Sequence, residues 1–195
     1  MKASDAQRLA GSGPVAVDEA HNICGEPSGA GVRIGLVCAR FNGAVTELLL
    51  AGAVAELDAC GVDRSSLTVA WVPGAFELPL ASMRLAASGT VDAVVCLGAV
   101  IRGETSHYDF VAGECAAGLR EVQLATGVPV VFGVLTTEDA DQAFARATAG
   151  GEEGPRRARG ADAARTAVEM ADLLRRLPPA SHVPDAGARH ANEGT

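Results

Sequence analysis

Four short apolar runs recur along the chain, and segments with apolar residues at helical spacing separate them. The runs are VRIGLVCA (32–39), SLTVAWV (66–72), DAVVCLGAVI (92–101) and VPVVFGVLTT (128–137). An apolar residue at nearly every position suits a strand buried on both faces, as in a parallel sheet. After the first run, Val45, Leu48, Leu49, Gly52, Ala53, Leu57 and Cys60 fall on one helical face, and Gly61 is placed to end the helix. A second helix is expected from Glu77 to Ser88, stopped by Gly89, and a third over 108–126, ended by Gly127. Two more are expected at 139–149 and 161–177, the last with Ala164, Ala167, Val168, Ala171 and Leu174 on one face. Such alternation predicts a three-layer α/β/α sandwich around a four-stranded parallel sheet, with right-handed crossovers. The domain is expected over 32–177. Residues 1–31 and 178–195 read as flexible extensions, rich in Gly, Pro, Ser and charge.

Charge narrows the partners. The 195 residues carry a formal net charge of −8, which argues against nucleic acid or an anionic membrane surface as partner. A small anionic substrate stays open, because one local arginine can hold a phosphate. Aromatics make up only 4% of the chain, so the core must be mostly Ala, Val and Leu. The cysteines are Cys24, Cys38, Cys60, Cys96 and Cys115, with no C-x-x-C pair. Their odd number and the place of Cys38 and Cys96 in apolar runs disfavour a zinc site or a disulfide framework, and a reducing cytoplasm fits better. The first residues lack the apolar core of a secretory signal, and no run reaches the roughly 18 apolar residues of a membrane span.

In open parallel sheets ligands bind beyond the carboxyl ends of the strands, so the loops after the four runs matter most. After the first stands Phe41, either a core residue or a flat surface for a heteroaromatic ring. After the second come Pro73-Gly74, which form a tight turn, then Ala75, Phe76 and Glu77. Glu77 reads equally as a helix cap or a ligand contact, and Trp71 before it reads as core. After the third comes GETSHYDF (103–110). It is either a polar turn capping a helix or an active-site loop. Gly103, Glu104 and Thr105 precede a helix, where free N–H groups form an anion nest, and the imidazole of His107 is a side chain suited to proton transfer. After the fourth, Thr136, Thr137 or Glu138 is placed to cap the next helix. Arg146 further along reads as a solvated helix arginine.

These segments in order closely resemble the lumazine synthase family, from about Val32 to Leu174. The resemblance is carried by Arg40-Phe41-Asn42, Val72-Pro73-Gly74-Ala75-Phe76-Glu77, Leu97-Gly98-Ala99-Val100-Ile101-Arg102-Gly103-Glu104-Thr105-Ser106-His107, Phe132-Gly133-Val134-Leu135-Thr136-Thr137 and Arg146-Ala147. It implies a flavodoxin-like sheet and a transferase without cofactor or metal. The reaction implied is condensation of 5-amino-6-(D-ribitylamino)uracil with 3,4-dihydroxy-2-butanone 4-phosphate to give 6,7-dimethyl-8-ribityllumazine, the step before riboflavin.

The resemblance also implies roles. Phe41 would stack on the pyrimidine, while Ala75, Phe76 and Glu77 would hold the ribityl chain. Ala99, Val100 and Ile101 would meet the uracil edge through their backbone. Glu104 and Thr105 would cradle the phosphate with Arg146 as its cation, and His107 would move protons. Phe132 would wall a neighbouring subunit's site. The implied assembly is a homopentamer or a sixty-subunit shell, with riboflavin synthase as a candidate partner. One region departs from the family pattern. The link TAGGEEGPRRARG (148–160) is longer than usual, with Arg159 in place of a lysine. Its glycines and charges resist burial in a contact, which favours a free pentamer. Two rivals remain: a flavodoxin-like electron carrier, which lacks its phosphate loop here, and a non-catalytic shell binding lumazine or flavin.

Overall fold

A computed structural model describes residues 22–148 and 158–178. All four expected strands form: β1 (Ile34–Ala39), β2 (Leu67–Val72), β3 (Ala93–Ile101) and β4 (Val130–Thr137). They make one parallel sheet in the order β2-β1-β3-β4. The helices are α1 (Gly43–Ala59), α2 (Leu78–Ala86), α3 (His107–Thr126), α4 (Ala140–Ala147) and α5 (Arg159–Arg176). The three-layer parallel α/β architecture is therefore as expected.

The central strands explain the unbroken apolar runs. Side chains alternate between sheet faces, and helices cover both faces. Ile34, Leu36, Cys38, Val95 and Leu97 pack in one core with Leu49, Leu57, Ala164 and Val168 of α1 and α5. Val37, Ala39, Val94 and Cys96 pack in the other with Leu78 of α2 and Cys115, Leu119 and Val122 of α3. Every residue of β1 is buried.

The edge strand β2 departs from the expectation. Val69 is 45% exposed, and Trp71, expected in the core, is 41% exposed. A parallel strand is buried on both faces only where helices overlie it, and the edge lies beyond that cover. Two residues leave the predicted helical faces. Leu48 and Leu174 are exposed, whereas Val45, Leu49, Ala53 and Leu57 on α1 and Ala164, Ala167, Val168 and Ala171 on α5 carry the burial.

Boundaries shift where capping decides them. The segment expected to be helical from Glu77 opens with a tight 3₁₀ turn at Ala75–Glu77 before α2 begins. The cap of α4 is Asp139, not Thr136, Thr137 or Glu138. Its carboxylate accepts the Gln142 N–H at 2.7 Å. Gly127 ends α3 in the left-handed region at φ +69, where a side chain would be strained. Helices α1 and α5 cross so closely that a Cβ on Gly160 would collide with the Leu49 carbonyl oxygen. Residues 22–31 lie along this layer. The Glu26 N–H donates to Asp172 Oδ2 of α5 at 2.8 Å, and the Gly29 N–H to the Cys60 carbonyl at 2.7 Å.

Candidate active site

The site grows from unequal strand lengths. β1 pairs with β3 only as far as Cys38 with Leu97. β4 stays paired with β3 as far as Ile101 with Thr137. Past Leu97, then, the β1 side of β3 has no strand beside it. Asn42 reaches into that gap, and its Nδ2 donates to the Ala99 carbonyl at 2.8 Å. Backbone groups two residues apart in a strand project to the same side. Ile101 therefore offers its N–H and C=O on the side that Ala99 faces. Arg102 points the other way, its N–H donating to the Thr137 carbonyl at 2.9 Å.

The loops after β1 and β2 are tied together. The Arg40 N–H donates to the Val72 carbonyl and the Phe41 N–H to the Pro73 carbonyl, at 2.9 and 3.0 Å. Asn42 turns the chain at φ 58 and ψ 38, and its carbonyl accepts from the Val45 N–H at the start of α1. A side chain with φ above zero is uncommon, and asparagine tolerates it best. These ties leave two rings standing free. Phe41 is 72% exposed and Phe76 is 58% exposed, so neither is a core residue. Glu77 occupies the N-cap position of α2 yet makes no side-chain cap bond, so its carboxylate is not engaged as a cap.

Phe41, Phe76, Ile101, Thr105 and His107 line one cavity of about 670 Å³, with Ala75, Glu77, Ala99 and Val100 in its wall. Gly103 joins them, but Glu104 does not reach the lining. His107 is the first residue of α3. Ser106 before it makes no side-chain cap bond, and the His107 N–H meets Thr105 Oγ1 only at a long 3.4 Å. The leading N–H groups of a helix without a side-chain cap favour an anion through their position and through the helix dipole. The cavity thus combines free aromatic faces, an unpaired strand edge, an imidazole and a helix start. Such a set can hold a flat polar heterocycle beside an anion.

Two expected residues lie elsewhere. Phe132 and Arg146 line a second pocket of about 360 Å³ beside β4, with Thr136, Arg159, Asp162 and Thr166. Arg146 leans back on its own helix, Nη1 lying 3.2 Å from the Gln142 carbonyl. Within one chain, then, Arg146 does not meet Thr105 or Glu104. The reason is topological: α4 packs with α1 and α5 on one face of the sheet, whereas Thr105 and His107 lead into α3 on the other.

A model of the family described as 6,7-dimethyl-8-ribityllumazine synthase matches residues 31–175. The chain is also 48% identical, over 145 residues, to a protein of Protochlamydia amoebophila (strain UWE25) named 6,7-dimethyl-8-ribityllumazine synthase. That match covers 74% of this chain and 81% of the relative. The chain belongs to the lumazine synthase family. Its reaction is the transferase step of riboflavin biosynthesis that condenses the ribitylaminouracil with the butanone phosphate.

The lumazine synthase reaction needs a nucleophile, and the substrate amine supplies it. The buried thiols are not placed for that work in any case. Desolvation pushes Cys38 and Cys96 up to about 12 and Cys115 up to about 11. Among the described residues no cluster of three or more His, Cys, Asp or Glu side chains is set to hold a metal. Also among them, no helix is long and apolar enough to cross a membrane. The lengthened link at 149–157 lies outside the described residues.

Asn42 is the residue whose work sequence reasoning missed. It stood in a recognised segment without a role. The available signal was an asparagine between a strand and a helix, where a positive φ and a local side-chain bond are both favoured.

Proposed function

We propose that the large cavity binds the ribitylaminouracil. Phe41 stacks on its ring, and Ile101 meets the uracil edge through its backbone, with Ala99 and Val100 in the wall beside it. Ala75, Phe76 and Glu77 hold the ribityl chain. Residues 103–105 receive the phosphate of the second substrate. The amine attacks the ketone and loses water to give an imine, phosphate leaves, the enol tautomerises, and ring closure expels a second water. His107 carries protons between these steps, a role typically worth about 10²–10⁴-fold. Holding both reactants together can lower the barrier by roughly 7–11 kcal/mol in favourable cases. No metal or redox cofactor enters this scheme.

Phe132 and Arg146 serve the site of a neighbouring subunit, and the assembly is a ring of five. One observation carries this reading. Among the described residues, the cavity holding Phe41 and His107 has no lysine or arginine in its lining, whereas Arg146 and Arg159 both line the pocket beside β4. A dianionic phosphate needs a cation, and a second copy brings one. The glycine-rich, charged link favours a free pentamer over a sixty-subunit shell. A cytoplasmic enzyme that passes its product to riboflavin synthase fits the same reading.

Subunit mixing tests it. His107→Ala and Arg146→Ala subunits are co-assembled in equal amounts. Every site of either pure variant carries one lesion. In the mixture, a site with its large cavity from Arg146→Ala and its small pocket from His107→Ala is intact. Random assembly makes about one quarter of the sites so. The mixture should recover about that share of wild-type lumazine formation, followed by fluorescence. A mixture no faster than the mean of its two parents would sink the shared site.

A further inference from the structure

The geometry points to Arg102 as a positioning residue for the phosphate loop. Its guanidinium ties the start of α3 to the β4–α4 connection and so holds residues 103–107 in shape. The inference rests on reading that loop as the phosphate cradle.

Arg102 leaves β3 with its backbone fixed by the bond to Thr137. Its side chain then spans the loop as a chord. Nη2 pairs with Asp109 Oδ1 at 3.2 Å, and Nε pairs with Glu138 Oε2 at 2.9 Å. The guanidinium also lies over the Tyr108 ring, 4.0 Å from its centroid. Tyr108 and Asp109 belong to the first turn of α3, directly after His107. The loop between has few bonds of its own. The Thr105 hydroxyl meets the His107 N–H only at 3.4 Å, and Ser106 makes no side-chain cap. A planar, forked cation that also stacks can make all three contacts at once.

Arg102 is absent from the cavity lining, and two carboxylates already share its charge. It therefore acts through the loop instead of touching the phosphate. Each contact is solvent-exposed and singly weak, with Arg102 itself 39% exposed along its side chain. Their joint effect falls on a loop with little else to order it.

The test is steady-state kinetics on the assembled enzyme. Arg102→Met should raise KM for the butanone phosphate roughly tenfold, the joint worth of two exposed ion pairs and one exposed cation–π contact. KM for the ribitylaminouracil should stay unchanged. Arg102→Lys should restore little, because an ammonium cannot fork and stack together. Glu138→Gln should raise the same KM by a smaller factor, and should add nothing in the Arg102→Met background. Glu138 is exposed, so this variant carries the test if Arg102→Met does not fold. Equal rises in both KM values would make Arg102 a general structural residue and overturn the inference. If Thr105→Val raises the ketone KM while Arg102→Met does not, the tie is wrong and the cradle stands. If neither raises it, cradle and tie fall together.

Discussion

Replacing Gly160 by alanine should destabilise the protein, although alanine favours a helix. Glycine inside a helix costs about 1 kcal/mol relative to alanine, so an unopposed change would help. At Gly160 the new Cβ would collide with the Leu49 carbonyl oxygen and lie 2.9 Å from Leu49 Cα. Leu49 is fully buried in the core beneath α1. The colliding atoms are backbone, so no rotamer change relieves them, and α5 must shift away from α1. Overpacking of this kind costs about 1–3 kcal/mol, and more where little can yield. Set against the propensity gain, which is small in a first turn, the net loss is about 2 kcal/mol. For a chain of this size that lowers Tm by roughly 4–8 °C. Gly113 provides the contrast, since a Cβ there meets nothing within 4 Å and the residue is exposed on α3. Thermal melts of Gly160→Ala, Gly113→Ala and wild type, run side by side, should bracket wild type from both sides. A Gly160→Ala protein as stable as wild type would refute the close crossing of α1 and α5. The same shift would move Arg159, the neighbour of Gly160 in the small pocket. A loss of activity beyond the loss of folded protein would follow.

His107→Ala should slow turnover by about 10²–10⁴-fold yet leave a measurable reaction, because positioning survives loss of the imidazole. Single-turnover rates check this, and an unchanged rate would leave the imidazole without a part in proton transfer. Cys38, Cys96 and Cys115 should resist iodoacetamide in the native protein at pH 8, as their raised thiol values leave almost no thiolate. The sign carries over to stability. The unfolded thiols ionise near pH 8.5 while the buried ones hold their protons, so stability should fall as pH rises above roughly 9. Denaturant midpoints at pH 7 and 10 measure it, and an unchanged midpoint would contradict the burial of these thiols.

Periodicity alone determined the elements of this fold. VRIGLVCA and DAVVCLGAVI are apolar at nearly every position because β1 and β3 are central strands under helices on both sides. A pattern read from neighbours along the chain records burial, but not which strand stands at an edge. SLTVAWV therefore looked like the others, and Trp71 lies exposed. The loops that bear chemistry were legible too, since parallel order sends every one of them to the same end of the sheet. The dual identity of Phe41, core residue or open ring, was decided only by the tie between Arg40 and Val72 and between Phe41 and Pro73. Those bonds join residues more than thirty apart in sequence, beyond the reach of local spacing. The same holds for Asn42 on Ala99, for Gly160 under Leu49, and for Arg146 standing with Phe132 instead of Thr105. Sequence determines which groups a chain brings to a site. Which of them meet depends on which face of the sheet each helix covers and how far β3 outruns β1, relations that exist only once the strands have paired.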